Sequence, residues 1–222
     1  MQTNERLTGP GVSGSTVSVE QLAHPLSKKA RKMIEKAQKY SHSGDHAKAI
    51  GELRKALEEP SAIPYAHSIL GAELLKTGNV KAALQELKEG VLLLPHSVAN
   101  HSNLGYALFL SGQKEEGEKE IREALKMDST SPQARFLIGV IQLEKGSHDQ
   151  EAEKDFQMAQ GEVQSAHLGL AMLYGRQGNK SAADQQLLQY LGPERAARLP
   201  FARAWLAAAL QQGPAATFGF PR

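Results

Sequence analysis

The sequence predicts an all-α solenoid of stacked helical hairpins, and three observations predict it. Gly44, Gly78, Gly112 and Gly146 recur every 34 residues, with Gly178 following 32 after the last, and a fixed period of that size marks a stacked repeat. Small residues recur in step with these glycines: Ala37, Gly71, Gly105, Gly139 and Ala171 lie seven before them. Finally, hydrophobic residues make up 41% and aromatics only 5% of the 222 residues, enough for a helical array and too few aromatics for an all-β sandwich.

Each glycine is placed at the turn of a hairpin. Lys36, Leu70, Leu104, Ile138 and Leu170 stand eight before it, and Leu53, Leu87, Ile121 and Leu187 nine after it. Small residues let the two helix backbones approach, and the large apolar residues fill the groove between them. Pro64 and Pro132 fall in first turns, the latter behind Ser131 as N-cap, and Asp45 and Asn79 are suited to cap second helices. Pro60 and Pro95 stand where second helices stop. These signals predict five antiparallel pairs, with first helices at about 28–42, 64–77, 98–111, 132–145 and 163–176.

Residues 1–26 read as a flexible leader with an apolar patch at Val17, Val19 and Leu22, and they lack the pattern of an export signal. The compartment therefore stays open between the cytoplasm and an exported precursor, and no apolar run reaches bilayer length. Beyond the array of residues 27–191, Gly192 and Pro193 break the pattern. Residues 192–212 form a capping helix, with Phe201, Trp205, Leu206 and Leu210 expected on its packed face, and 213–222 read as a disordered tail.

His67, Leu70, Gly71, Leu74, Ala83, Leu87 and Pro95 together resemble the consensus of the tetratricopeptide repeat, as do His101, Leu104, Gly105, Leu108, Gly117 and Ile121. Unit one is looser (Met33, Lys36, Ala37, Tyr40, Ala49, Leu53), and unit five keeps His167, Leu170, Ala171, Tyr174, Ala183 and Leu187. In unit four Ala152 and Phe156 take the packing roles one residue late, so its turn is expected to be longer. The resemblance spans about Ser27 to Leu191 and implies a right-handed superhelix of about five repeats whose first helices line a concave peptide groove.

On the face that lines this groove in the family, the spacing of three, four and three collects Arg31, Ile34, Gln38 and Ser41; Tyr65, Ser68, Ala72 and Leu75; Ala99, Ser102, Tyr106 and Phe109; Gln133, Phe136, Val140 and Leu143; and Ser165, Leu168 and Met172. The middle of that surface is apolar and aromatic. Tyr65, Leu75, Tyr106, Phe109, Phe136 and Val140 are therefore the candidate contacts for an apolar or amphipathic segment of a protein partner, with Asn103 and Arg135 as polar anchors. The bland alternative is that these side chains fill space between adjacent first helices. Family members that clamp the terminal carboxylate of heat-shock chaperones carry Lys and Asn, then Asn, then Lys and Arg on successive first helices; only the central Asn103 fits, which disfavours that ligand.

Other chemistry finds little support. His67, His101 and His167 occupy equivalent places and are expected to pack with a polar tip toward solvent, because side chains one repeat apart, roughly 10 Å, cannot share a zinc ion. Gly44 separates His42 from His46. No nucleophile triad, Gly-rich dinucleotide fingerprint or P-loop occurs, and cysteine is absent. No cofactor, metal or catalytic residue is assigned. Charge is near balance at +2, but Lys28, Lys29, Arg31, Lys32, Lys36 and Lys39 crowd the first helix and Glu115, Glu116, Glu118, Glu120 and Glu123 a later one. Such runs usually face solvent; an acidic partner or anionic lipid is a second reading, and nucleic acid ranks low without interleaved aromatics. The sequence thus predicts a non-catalytic scaffold for a protein or peptide, the alternative being a self-association module whose groove its own termini or a second copy fills.

Overall fold

The computed structural model describes residues 25–146 and 148–212; the predicted leader, except its last two residues, and the predicted tail lie outside them. Eleven α-helices are formed among the described residues: α1 (Lys28–His42), α2 (His46–Ala56), α3 (Ile63–Lys76), α4 (Val80–Leu93), α5 (Val98–Leu110), α6 (Lys114–Met127), α7 (Pro132–Lys145), α8 (Asp149–Ala159), α9 (Ala166–Arg176), α10 (Lys180–Leu191) and α11 (Leu199–Gln212). A short 3₁₀ turn, Pro193–Arg198, precedes α11. The chain divides into two compact units, one ending at Ser97 and one starting at Val98.

The hairpin turns follow from local chemistry. Gly44, Gly78, Gly112, Gly146 and Gly178 all have φ between +73° and +87°, a left-handed conformation that costs a side-chain-bearing residue about 1–2 kcal/mol. The side chains of Asp45, Asn79 and Asn179 then accept hydrogen bonds from the backbone N–H of Lys48, Ala82 and Ala182, and Ser131 caps α7 through Ala134 N–H. These caps satisfy N–H groups that a helix leaves unpaired in its first turn. The turn after α7 is one residue longer: α8 begins at Asp149, three after its glycine, where α2, α4, α6 and α10 begin two after theirs.

Two predicted boundaries shift. The second helix α2 stops at Ala56 rather than at Pro60, because Leu57, Glu58 and Glu59 close a turn onto Leu53, Lys55 and Ala56 carbonyls. Helix α9 begins at Ala166 rather than 163, since Val163 is held by turn hydrogen bonds to Ala159 and Ala166.

In the first unit, Ala30 and Ile34 of α1 pack with Ala56 of α2 and with Ala62 and Ala66 at the start of α3. Within the α3–α4 hairpin Gly71 faces Leu87, where a methyl group would sit 2.5 Å from Cγ of Leu87. Closer approach than van der Waals contact is thus reserved for a residue without Cβ.

The second unit has a continuous core running from Phe109 through α6 to α10 and on to Leu206 of α11. Phe156 is its centre. Fully buried, it presses its ring edge on Gly139 of α7 and Gly169 of α9 and meets Phe136 at 6.0 Å between centroids, tilted by 52°, a favoured aromatic geometry.

The packed face of α11 keeps Leu206 and Trp205 as predicted and differs at Phe201 and Leu210. Ala202, Leu206 and Ala209 are the buried residues, Trp205 is partly buried against the core, and Phe201 is 47% exposed. Alanines let α11 lie close on α9, with Leu206 and Leu210 against Gly175, so the bulky Phe201 is left outside. Arg203 fastens the helix by donating from Nε and Nη2 to the Asp184 carboxylate at 2.7 and 2.6 Å.

Candidate functional site

The first-helix face separates into a floor and an accessible layer. In the second unit Phe109, Phe136 and Val140 are 4%, 7% and 1% exposed and belong to the core cluster. Expected to contact a partner, they are instead part of the buried core, where Phe136 meets the ring of Phe156 on the second helix α8. Asn103 and Tyr106 remain half-buried. Burial pushes the Tyr106 phenol pKa up, and its hydroxyl makes no hydrogen bond among the described residues. In the first unit, described by itself, Tyr65 and Leu75 of α3 are likewise half-buried, Tyr65 packing on the cluster of Ala30, Ile34 and Ala66.

Arg135, expected as a polar anchor, is engaged within its own hairpin. Its Nη1 donates to Asp155 Oδ1 at 2.5 Å and its Nε to the Ser129 carbonyl at 2.9 Å, so the guanidinium is committed to holding its own hairpin. The same device recurs at the equivalent place in other hairpins. His67 Nδ1 lies 2.7 Å from Glu86 Oε2, His101 Nδ1 2.7 Å from Glu120 Oε2, and His167 Nδ1 2.7 Å from Gln186 Oε1.

Each of those three pairs joins residues 19 apart, while Arg135 and Asp155 are 20 apart, as the longer turn requires. Nδ1 of each histidine therefore faces a partner on the second helix. The signal of this recurrence in the sequence is the acid or amide, Glu86, Glu120 and Gln186, that stands 19 residues after each histidine. Among the described residues no group of three His, Asp or Glu side chains is placed to hold a metal ion.

Polar links also join successive hairpins near their turns. Glu73, 2% exposed, accepts from Ser41 Oγ at 2.6 Å and Lys76 Nζ at 2.6 Å, with His46 Nδ1 2.8 Å from its other oxygen. Burial pushes its pKa up, but the hydrogen bonds from Lys76, Ser41 and His46 outweigh that and hold the carboxyl below its ordinary value. His46 thus pairs with Glu73 and not with His42, which turns back to its own Gln38 carbonyl. In the second unit Lys114 pairs with Glu144, Lys145 with Glu118, and Arg176 with Asp149 and the Leu143 carbonyl.

Residues 102–167 match the family model of the tetratricopeptide repeat. Among solved structures, a thermophilic TPR protein of Thermus thermophilus superposes with a TM-score of 0.67 at 20% identity, covering 82% of this chain and 99% of that one. MamA from residue 41 to its end, of Desulfovibrio magneticus RS-1, gives 0.56 at 16% identity over 77% and 97% of the two chains. The first TPR of Spaghetti, bound to an HSP90 peptide, gives 0.51 at 22% identity over 56% and 98%. No curated protein matches the chain. The described residues thus have the all-α helical-hairpin fold of these tetratricopeptide-repeat structures, and residues 102–167 match that repeat by sequence.

Proposed function

We propose that this protein is a non-catalytic scaffold that binds an extended or helical peptide segment of another protein on the first-helix face of its repeats. The observation that carries this reading is Tyr106: a half-buried aromatic with a hydroxyl unpartnered among the described residues, beside the amide of Asn103 and above a packed floor of Phe109, Phe136 and Val140. A rigid aromatic with one free polar atom is the side chain best suited to anchor a peptide at low entropic cost. Tyr65 and Leu75 offer the corresponding surface in the first unit.

The HSP90 peptide of the Spaghetti repeat supports peptide binding as a mode, while its ligand fits this chain poorly. The chaperone-tail clamp needs cations on the first helices; at the places of its two cationic helices this chain has Ile34 and Gln38, then Ala99, or in the shifted register Ser68 and Ala72, then Gln133 and Leu137. An apolar or aromatic anchor in the ligand is what the surface selects.

A displayed peptide library panned on the full chain tests this. Enriched ligands with a bulky apolar residue are expected, and Tyr106→Ala with Asn103→Ala should weaken them about tenfold or more without lowering the thermal midpoint. Binding that survives this pair and Tyr65→Ala with Leu75→Ser would overturn the assignment. Sedimentation equilibrium separates the self-association alternative: a concentration-dependent dimer that the same substitutions dissociate would mean the face serves a second copy.

A further inference from the structure

We infer that the outer face of α1 is a docking surface for a membrane carrying anionic headgroups. Helix α1 buries Ala30, Ile34 and Ala37, and at 100° per residue the opposite side presents Lys28, Arg31, Lys32 and Lys39, all exposed, with Glu35 as the one carboxylate among them. These four cations have no partner among the described residues. Lys29 and Lys36, by contrast, are held by Glu59 at 2.9 Å and Glu52 at 3.1 Å. Along the helix the four span about 16 Å at 1.5 Å per residue.

Comparison with the other first helices shows how unusual this face is. The positions equivalent to Lys32 are Ala66, Asn100, Ala134 and Ala166, and those equivalent to Lys39 are Glu73, Ala107, Ile141 and Leu173; all eight are buried. A polar outer face keeps a terminal repeat soluble, but solubility is served as well by mixed charge, and α6 shows the mixed solution: Glu118 pairs with Arg122 and Lys145, Glu120 with His101 and Glu123 with Lys126.

Those contacts engage three of the five carboxylates of α6 that could receive α1 of a second copy, Glu115 and Glu116 being the other two. The cationic face has no apolar residue to insert and no aromatic to stack on a base. A flat anionic surface matches it: lysines and arginines gain from the summed field of the headgroups without being desolvated.

The test is flotation of the full chain with vesicles of phosphatidylserine and phosphatidylcholine against vesicles of phosphatidylcholine alone. Binding is expected only to the anionic vesicles, lost in about 1 M salt, where the Debye length is about 3 Å, and weakened about fivefold for each cation removed in Lys28→Gln, Arg31→Gln, Lys32→Gln and Lys39→Gln. The control carries Lys81→Gln, Lys88→Gln, Lys119→Gln and Lys154→Gln, an equal loss of charge elsewhere, and should bind as the parent does. Equal loss in the control, binding retained by the α1 variant, or tighter binding of duplex DNA or polyglutamate than of anionic vesicles at the same salt would each overturn the proposal.

Discussion

The hairpins α5–α6 and α7–α8 stand side by side in the second unit and solve one packing problem in two ways. In the first, both helices offer a glycine at the crossing: a methyl at Gly105 would lie 2.7 Å from the Gly117 carbonyl, and one at Gly117 would lie 2.7 Å from the Gly105 carbonyl and 2.9 Å from the Phe109 backbone nitrogen. In the second, only Gly139 remains small enough, and it receives the ring of Phe156 across from a helix displaced by one residue. Backbone against backbone is rigid, whereas backbone against an aromatic ring leaves one partner able to turn. The difference teaches that a repeat tolerates a register shift when a large side chain replaces a close backbone contact.

Substitutions at these crossings should separate the two solutions. The largest effect is expected for Phe156→Ala, about 3–5 kcal/mol by denaturant unfolding, since the ring serves α7, α8 and α9 together; a loss below about 1 kcal/mol would show the hairpin repacks freely. Next comes Gly117→Ala, with a cost of about 1–3 kcal/mol, because the methyl meets only backbone. Gly139→Ala should cost less than Gly117→Ala in the same assay, the Phe156 ring giving way. The reverse order would break the comparison.

The smallest effect concerns the link between the hairpins. Burial pushes the Glu118 pKa up, and the hydrogen bonds from Lys145 and Arg122 overcome it, leaving the carboxyl below its ordinary value. A depressed folded pKa gives stability that is present above the unfolded value, about 4.3, and is lost as pH falls through the folded value. Glu118→Gln should therefore cost at most about 1 kcal/mol at neutral pH, and its difference from the parent should vanish on acidification below the carboxylate range. A difference that persists in acid would mean that Glu118 acts through packing.

Much of this fold was legible because its signals are local. The glycine ladder required φ > 0 at each turn, the caps Asp45, Asn79 and Ser131 needed only the N–H groups three residues on, and the late Phe156 announced the longer turn. On α11 Leu206 and Trp205 pack on the core as the sequence predicts, whereas Phe201 is exposed and Ala202 and Ala209 are buried in its stead, because hydrophobicity ranks phenylalanine above alanine and says nothing of how closely the helix lies. On the candidate site, periodicity collected the right side of each first helix but could not divide it into depth. Tyr106 and Phe109 sit on one stripe, and only the neighbouring first helix decides which of them reaches solvent. The His–Glu series was open to sequence reading at a spacing of 19, yet nothing in one residue's type says that it faces the opposite helix.

The sequence by itself determined the hairpin unit, its period and its turns, because these rest on backbone conformations and contacts within one repeat. Tertiary structure alone decided that Phe109, Phe136 and Val140 are buried in the core, that Arg135 is tied to Asp155, and that Tyr106, Asn103, Tyr65 and Leu75 keep part of their surface exposed. Burial is a property of neighbours, and a stripe of equal hydrophobicity becomes a core or a surface only when the next helix is set beside it.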